Sequence, residues 1–162
     1  VFANLPRLLE RAGNSATGGI TGIYTVLVDG DDFNEPVADA ARSILDGHIV
    51  LTRRLASAGH FPSIDVLESK SRVRDMIIDG TQRGAANAFM RLEAAYREKE
   101  DLVMVGAYQK GSDPLVDAAL RSRNEMLGFL QQRPDEKTSF DQTRQSLLSL
   151  TSRAGIPGLV PA

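Results

Sequence analysis

Three cations follow a short apolar stretch in the middle of the sequence. The segment HFPSIDVLESKSRVR, residues 60–74, begins with Phe61 beside a proline and ends with Lys70, Arg72 and Arg74. A guanidinium group is planar and always charged, and it donates paired hydrogen bonds to phosphate or carboxylate oxygens. A strand that ends in an arginine therefore suits a site for an anionic ligand. Because clusters of cations are usually solvated surface, the surface interpretation is favoured on these residues alone.

No other catalytic group stands in a recognisable motif. The sequence has no Cys, and its two histidines, His48 and His60, are too few for a His-rich metal site. Neither the phosphate-binding pattern GxxxxGK[ST] nor the dinucleotide-binding pattern GxGxxG occurs. We therefore expect no metal site and no phosphate-binding loop within these residues.

An acidic stretch, DGDDFNEP at residues 29–36, has the composition of a calcium loop but not its spacing. Such a loop needs ligands at positions one, three and five and glycine at position six. Counted from Asp29, position five is Phe33 and position six is Asn34, so the pattern fails. We interpret the stretch as a solvated turn in which Asn34 caps a helix with Pro36 in its first turn.

The composition is that of an ordinary globular protein. Hydrophobic residues make up 42% and charged residues 25% of the 162 residues, and the net charge is -2. This charge gives no reason to expect nucleic acid as a partner. The absence of Cys excludes disulfides and favours a reducing compartment. No apolar run reaches the roughly 18 residues that a membrane-spanning helix needs.

The first 74 residues are predicted to alternate between helices and strands. Leu5, Leu8 and Leu9 fall at helical spacing. The uncharged run ITGIYTVLV, residues 20–28, is typical of a central strand covered on both faces. The other predicted elements are a helix over 36–46, a strand over 48–51, a helix over 52–58 and a strand over 64–67. This alternation favours an α/β layer with a parallel sheet.

The residues beyond 74 carry helical patterns only. The predicted elements are a helix with the stripe Ala85, Phe89, Leu92 and Tyr96, a short helix over 102–107, a helix opened by Asp113 and Pro114, and a helix with a capping box of Ser139 and Gln142. We therefore predict one domain over 1–74, a helical domain over 75–151 and a tail over 152–162. Because the chain opens on Val1 within a helical pattern, we also expect its start to be a cut.

Several segments together resemble one family, the type III secretion ATPases. These are the export ATPases of the bacterial flagellum and of the related injectisome, and they are homologous to the catalytic head of rotary ATP synthases. The matching segments are LPRLLERAG at 5–13, NEPVADAARSILDGHIVL at 34–51, FPSIDVL at 61–67, SRV at 71–73 and VGAYQKGSDPLVD at 105–117.

The resemblance implies a fold and an activity. The family has a RecA-like parallel-sheet nucleotide-binding domain followed by a helical C-terminal domain, which agrees with a boundary after Arg74. The family's phosphate loop, catalytic glutamate and magnesium-holding aspartate lie upstream of the region that matches. The chain is therefore expected to be a C-terminal fragment that is inactive alone, whereas the intact protein would use ATP and Mg²⁺.

The resemblance also assigns roles to three residues. Arg72 aligns with the family's arginine finger, which acts in trans on the γ-phosphate of ATP bound to a neighbouring subunit and accelerates such reactions about 10³- to 10⁵-fold. Phe61 aligns with an aromatic residue, usually Tyr, that stacks on adenine, and Phe140 roughly aligns with a second adenine-pocket aromatic. The alternative roles are core packing for Phe61 and hydrophobic anchoring of a helix for Phe140. Lys70 and Arg74 depart from the family pattern and are interpreted as surface charge.

The resemblance implies a flagellum-specific ATPase that works as a homo-hexamer in protein export. Its expected partners are export chaperones, a stalk protein and export-gate proteins, and its expected location is the cytoplasm, peripheral at the inner face of the cell membrane. An injectisome ATPase and a C-terminal module that binds chaperone or stalk without activity of its own remain alternatives. A rotary synthase subunit ranks below them, because residues 34–51 are closer to the secretion family.

Overall fold

The computed structural model describes residues 4–28 and 35–156, which form two structural units. The first unit comprises the described chain up to His48 together with Lys70–Val73. The second comprises Ile49–Ser69 and the described chain from Arg74 onward. The strand that precedes Arg72 therefore contributes residues to both units.

The first unit contains two helices and a small hairpin. Its elements are α1 (Leu5–Leu9), β1 (Gly13–Ser15), β2 (Gly18–Ile20) and α2 (Pro36–Ile44). The predicted helices are confirmed, and α2 has its proline in the first turn. It ends two residues earlier than predicted because Leu45 is already extended. The predicted cap, Asn34, lies outside the described residues; the N-cap position is held by Glu35, whose side chain makes no capping hydrogen bond.

The strand predicted for residues 20–28 is wrong for the described chain beyond Ile20. Residues 21–28 form neither strand nor helix, and the side chains of Ile23 and Leu27 are 93% and 89% exposed. A strand needs hydrogen bonds to a neighbouring strand. In the described part of the chain, the antiparallel pairing of β1 with β2 ends where Gly13 meets Ile20. The apolar run therefore has no strand beside it, although its composition suits one.

A second pair of strands leads to Arg72. Its elements are β3 (Gly47–Leu51), α3 (Arg53–Ser57) and β4 (Ile64–Ser71), and α4 (Arg74–Ile77) follows. The Arg72 amide, just past β4, donates to Asp46 before β3, whereas the Thr52 amide after β3 donates to Ser63 before β4. Opposite ends therefore meet and the pair is antiparallel, so these strands alone do not form the expected parallel sheet. The five-residue α3 rises only about 7.5 Å, too little for a crossover that would restore parallel direction.

The rest of the second unit is a three-helix core. The helices are α5 (Gly80–Met104), α6 (Pro114–Leu130) and α7 (Phe140–Ala154). Ala88, Phe89, Leu92, Ala118, Ala119, Met126, Leu150, Ala154 and Ile156 are buried together. The helix predicted over 102–107 is wrong, because its first residues continue α5 without a break. Among the described helices, none is long and apolar enough to cross a membrane.

The tail predicted from residue 152 begins later than expected. Helix α7 continues to Ala154, and Ala154 and Ile156 are buried in the helical core. Residues 152–156 are therefore part of the helical domain and not of a tail, because the burial of these two apolar side chains favours a packed conformation. Residues 157–162 lie outside the described part of the chain.

An ion pair joins β4 to α5. Asp65, only 4% exposed, accepts hydrogen bonds at Oδ1 from Arg97 Nη2 at 2.9 Å and from the Leu67 and Glu68 amides. Burial acts to raise the pKa of the Asp65 carboxyl, but the Arg97 guanidinium and the two amides outweigh it and lower the pKa below its usual value. The carboxylate therefore stabilises the folded strand only while it is ionised.

We predict that Asp65→Asn destabilises the second unit by about 2–3 kcal/mol, because Arg97 and two amides lose a charged acceptor. The wild-type contribution is complete above the unfolded-state pKa of about 3.9 and disappears as the pH falls through the lower folded-state pKa. Urea unfolding between pH 2.5 and 7 measures both effects. Asp135→Asn, in an exposed pair with Arg133, is the matched control. Equal loss in the two variants would contradict this role for Asp65.

Candidate functional site

Arg72 is held at both its backbone and its side chain by one short piece of the first unit. Its amide donates to the Asp46 carbonyl at 2.7 Å. Its Nη2 donates to the carbonyls of Arg42 and Ser43 at 3.2 and 3.0 Å. The side chain is nevertheless exposed. Arg72 therefore has a defined direction at the surface, where most arginines move freely.

The end of α2 explains why these carbonyls accept the guanidinium. Because Leu45 is extended, the last helical carbonyls lack the amides that a longer helix would provide. The same helix end carries a partial negative charge, which favours a cation. The side chain of Arg72 thus supplies hydrogen bonds that the end of α2 lacks. This arrangement was not predicted from the sequence, because residues 42 and 72 are distant along the chain.

Half of the Arg72 guanidinium remains open. The Nε hydrogen and both Nη1 hydrogens have no hydrogen-bond partner, and no carboxylate pairs with Arg72, within residues 4–28 and 35–156. Guanidinium donors in this fork geometry match phosphate and carboxylate oxygens. The group is therefore oriented by neutral carbonyls and retains its charge and free donors for an external anion.

The two neighbouring cations differ from Arg72. Lys70 is exposed, and its side chain has no hydrogen-bond or ion-pair partner in the described parts of the chain. Arg74 belongs to the second unit, where Nε contacts Asp75 Oδ1 at 3.0 Å and Nη2 contacts Asn87 Oδ1 at 3.2 Å. The surface interpretation therefore suits both residues, since nothing orients the Lys70 side chain and the charge of Arg74 is already paired with a carboxylate.

Phe61 and Phe140 are both exposed in the second unit. Phe61 is 57% exposed, precedes a cis peptide bond to Pro62, and accepts a hydrogen bond at its carbonyl from the Gln132 amide at 3.0 Å. Phe140 is 68% exposed and begins α7, directly after the capping box of Ser139 and Gln142, which is confirmed. Neither ring makes a ring contact within the described residues. Their exposure argues against core packing and helix anchoring.

A polar cleft of about 820 Å³ lies beside these aromatic residues without including either ring. Its lining comes from Pro62, the end of α6, the connection to α7 and one side of α7, with Gln132, Thr138, Ser146 and Arg153 among its polar groups. In the described chain, no three His, Asp or Glu side chains come together to hold a metal ion.

The segment VGAYQKGSDPLVD has a structural role that the sequence did not reveal. Asp117 Oδ2 accepts a hydrogen bond from the Gly111 amide at 2.8 Å, and the Tyr108 hydroxyl lies 3.0 Å from Asp117 Oδ1. Asp113 caps α6 by accepting from the Leu115 amide. These contacts fold the connection between α5 and α6 onto the start of α6.

We predict that Arg72→Ala lowers the free energy of unfolding by only about 0.3–1 kcal/mol, because water replaces an exposed contact at a helix C-terminus. Urea unfolding of the chain measures this loss. A loss above 3 kcal/mol would contradict an open, solvent-facing guanidinium.

Two family models match the chain. The model described as ATP synthase alpha/beta family, nucleotide-binding domain, matches residues 1–71. The model described as T3SS EscN ATPase C-terminal domain matches residues 78–149. The two matches together cover most of the sequence and follow one another along it.

Curated relatives agree with these models. The chain is 52% identical to a type 3 secretion system ATPase of Sinorhizobium fredii over 94% of its length, and 50% identical to a flagellum-specific ATP synthase of Treponema pallidum over 93%. In both cases it covers 34% of the relative. The chain therefore spans about a third of the length of the relatives that it matches.

Solved structures show the same similarity. The assembled ATPase EscN of the enteropathogenic E. coli type III secretion system superposes with a TM-score of 0.89 at 44% identity, over 93% of this chain and 36% of that one. EscN in complex with its central stalk EscO superposes with a TM-score of 0.83 at 43% identity, over 93% of this chain and 35% of that one. The described residues therefore share the fold of the corresponding third of EscN.

Proposed function

The chain belongs to the family of type III secretion and flagellum-specific ATPases, and on that premise we propose that the intact protein hydrolyses ATP to drive flagellar protein export. It works as a homo-hexamer, so that each subunit lends residues to a neighbour's site. Residues 1–74 complete a RecA-like nucleotide-binding domain and residues 75–151 form the helical C-terminal domain. Support comes from the two consecutive family matches and from the fold shared with an assembled ATPase.

The observation that carries this proposal is the half-open guanidinium of Arg72. Two α2 carbonyls orient it while Nε and Nη1 remain available. In hydrolysis, water attacks the γ-phosphorus, the bond to ADP breaks, and inorganic phosphate forms. Negative charge on the transferring group is stabilised by donors that are already oriented. Arg72 supplies this stabilisation from the adjacent subunit.

Phe61 and Phe140 hold the adenine. Both rings are exposed, and exposed aromatic faces stack on bases without needing a hydrogen-bond partner. The Gln132 amide fixes the carbonyl of Phe61, and the capping box fixes the helix start that carries Phe140. Each ring therefore projects from a backbone that is locally held.

The other parts of the proposal concern the intact protein. ATP is its substrate, and Mg²⁺ is held by residues that the family places upstream of the matching region. Its location is the cytoplasm, peripheral at the inner face of the cell membrane. Its partners are a stalk protein, by analogy with the EscN–EscO complex, together with export chaperones and gate proteins.

Two alternatives have specific support. An injectisome ATPase is supported by the 52% identity to a type 3 secretion system ATPase, against 50% to a flagellum-specific one. A binding module is supported by Leu102, Met104 and Val105, which are exposed apolar side chains at the end of α5. Titration of the chain with export chaperone and with stalk protein, in the presence and absence of nucleotide, separates these functions. Binding that does not depend on nucleotide favours the binding module, whereas binding that changes with nucleotide favours an ATPase that binds its partners during the hydrolysis cycle.

We predict that Arg72→Ala in the intact protein lowers kcat at least 100-fold while ATP still binds, because the finger acts on the transition state. Steady-state hydrolysis and nucleotide affinity are measured at concentrations where the ring forms. Lys70→Ala is the matched control, since it removes an exposed cation two residues away and is expected to leave kcat unchanged. Full turnover in Arg72→Ala would exclude the finger role and favour the binding module.

We predict that Phe61→Ala raises the KM for ATP about 5- to 150-fold, because base stacking contributes about 1–3 kcal/mol. Phe61→Tyr keeps the aromatic face and is expected to leave KM nearly unchanged. ATP hydrolysis over a range of nucleotide concentrations measures both variants. An unchanged KM in Phe61→Ala would assign Phe61 to the surface.

A further inference from the structure

The junction between α2 and β3, residues 42–47, contacts the segment 70–72 through backbone as well as side chain. We propose that this junction is the positioning element for Arg72 and that Gly47 is its critical residue. This inference rests on the proposed finger role. It adds a residue that acts through Arg72 without touching ATP.

The first argument is that the junction holds both ends of Arg72. The Asp46 carbonyl accepts from the backbone amide at 2.7 Å. The carbonyls of Arg42 and Ser43 accept from the far end of the same side chain. A long flexible side chain held at both ends loses most of its conformational freedom before any ligand binds. All the acceptors are backbone atoms, so the geometry follows from the path of the junction.

The second argument is the close approach at Gly47. A Cβ built on Gly47 would lie 2.7 Å from the Lys70 carbonyl oxygen and 3.3 Å from the Ser71 Cα. The φ of Gly47 lies outside the left-handed region, so glycine is required here for space and not for conformation. Its neighbours are backbone atoms, which cannot rotate aside as a flexible side chain would.

These contacts predict a specific defect in catalysis. An alanine at 47 must displace the segment 70–72 by about 0.7 Å to restore an ordinary contact near 3.4 Å. Arg72 would move with that segment. A misplacement of about 1 Å at a reacting group costs up to about 100-fold in rate. ATP affinity should change little, since the stacking rings proposed above belong to the second unit and Gly47 belongs to the first.

The test is Gly47→Ala in the intact protein under ring-forming conditions. We expect kcat to fall 10- to 100-fold with KM and ring assembly unchanged. Gly128→Ala is the matched control, because a Cβ on that α6 glycine would meet no atom within 4 Å. In an Arg72→Ala background, Gly47→Ala should cost no further activity, because it acts only through Arg72.

The outcomes separate this inference from the proposed function. If Arg72→Ala abolishes turnover but Gly47→Ala retains wild-type kcat, the positioning role is wrong and the finger remains. If Arg72→Ala retains turnover, the finger role itself fails. Should Gly47→Ala not fold, Arg72→Lys decides. Arg72 contacts the α2 carbonyls through Nη2 and keeps Nε and Nη1 for phosphate, whereas lysine has all its donors on one nitrogen, so we expect at least a 10-fold loss. Wild-type kcat in Arg72→Lys would overturn the positioning role.

Discussion

Three backbone carbonyls, those of Arg42, Ser43 and Asp46, constrain Arg72, the residue proposed to act on ATP. They are available because α2 ends where Leu45 becomes extended. These neutral acceptors orient the Arg72 guanidinium and leave its charge in place. A carboxylate would orient the group but would also neutralise its charge. This difference distinguishes an arginine prepared for an external anion from one that belongs to a structural ion pair.

The second unit provides a contrast in how it uses charge. Asp65 and Arg97 form an ion pair that is largely removed from water, and Glu93 pairs with Arg123 at 2.6 Å in the same way. Arg123 also lies over the Tyr96 ring, 3.9 Å from its centroid. Both cations are paired with carboxylates, and the two ion pairs hold α5 against β4 and α6. Their guanidinium groups serve packing, whereas that of Arg72 remains half free.

Local signals in the sequence predicted local structure well. The capping box at Ser139, the Asp113 cap and the stripe of Phe89 and Leu92 depend on neighbours within a few residues, and all are present. The run at 20–28 failed because a strand depends on a partner strand, which composition cannot supply. The sequence predicts a tail that includes Ile156, because no local pattern shows that this side chain packs into the core.

The candidate site also depends on contacts between distant residues, which local sequence patterns do not show. The roles of Arg72, Phe61 and Phe140 are predicted from a family resemblance. The hydrogen bonds between Arg72 and the α2 carbonyls join residues about 30 positions apart, so no local sequence pattern predicts them. The space required at Gly47 is equally a tertiary property.

The most direct test of action across a subunit boundary mixes Arg72→Ala subunits with subunits that have an inactivated phosphate loop. Each kind of subunit is inactive alone. Our account predicts that mixed rings recover ATP hydrolysis, because an intact finger then faces an intact loop. Mixed rings that assemble but stay inactive would contradict it.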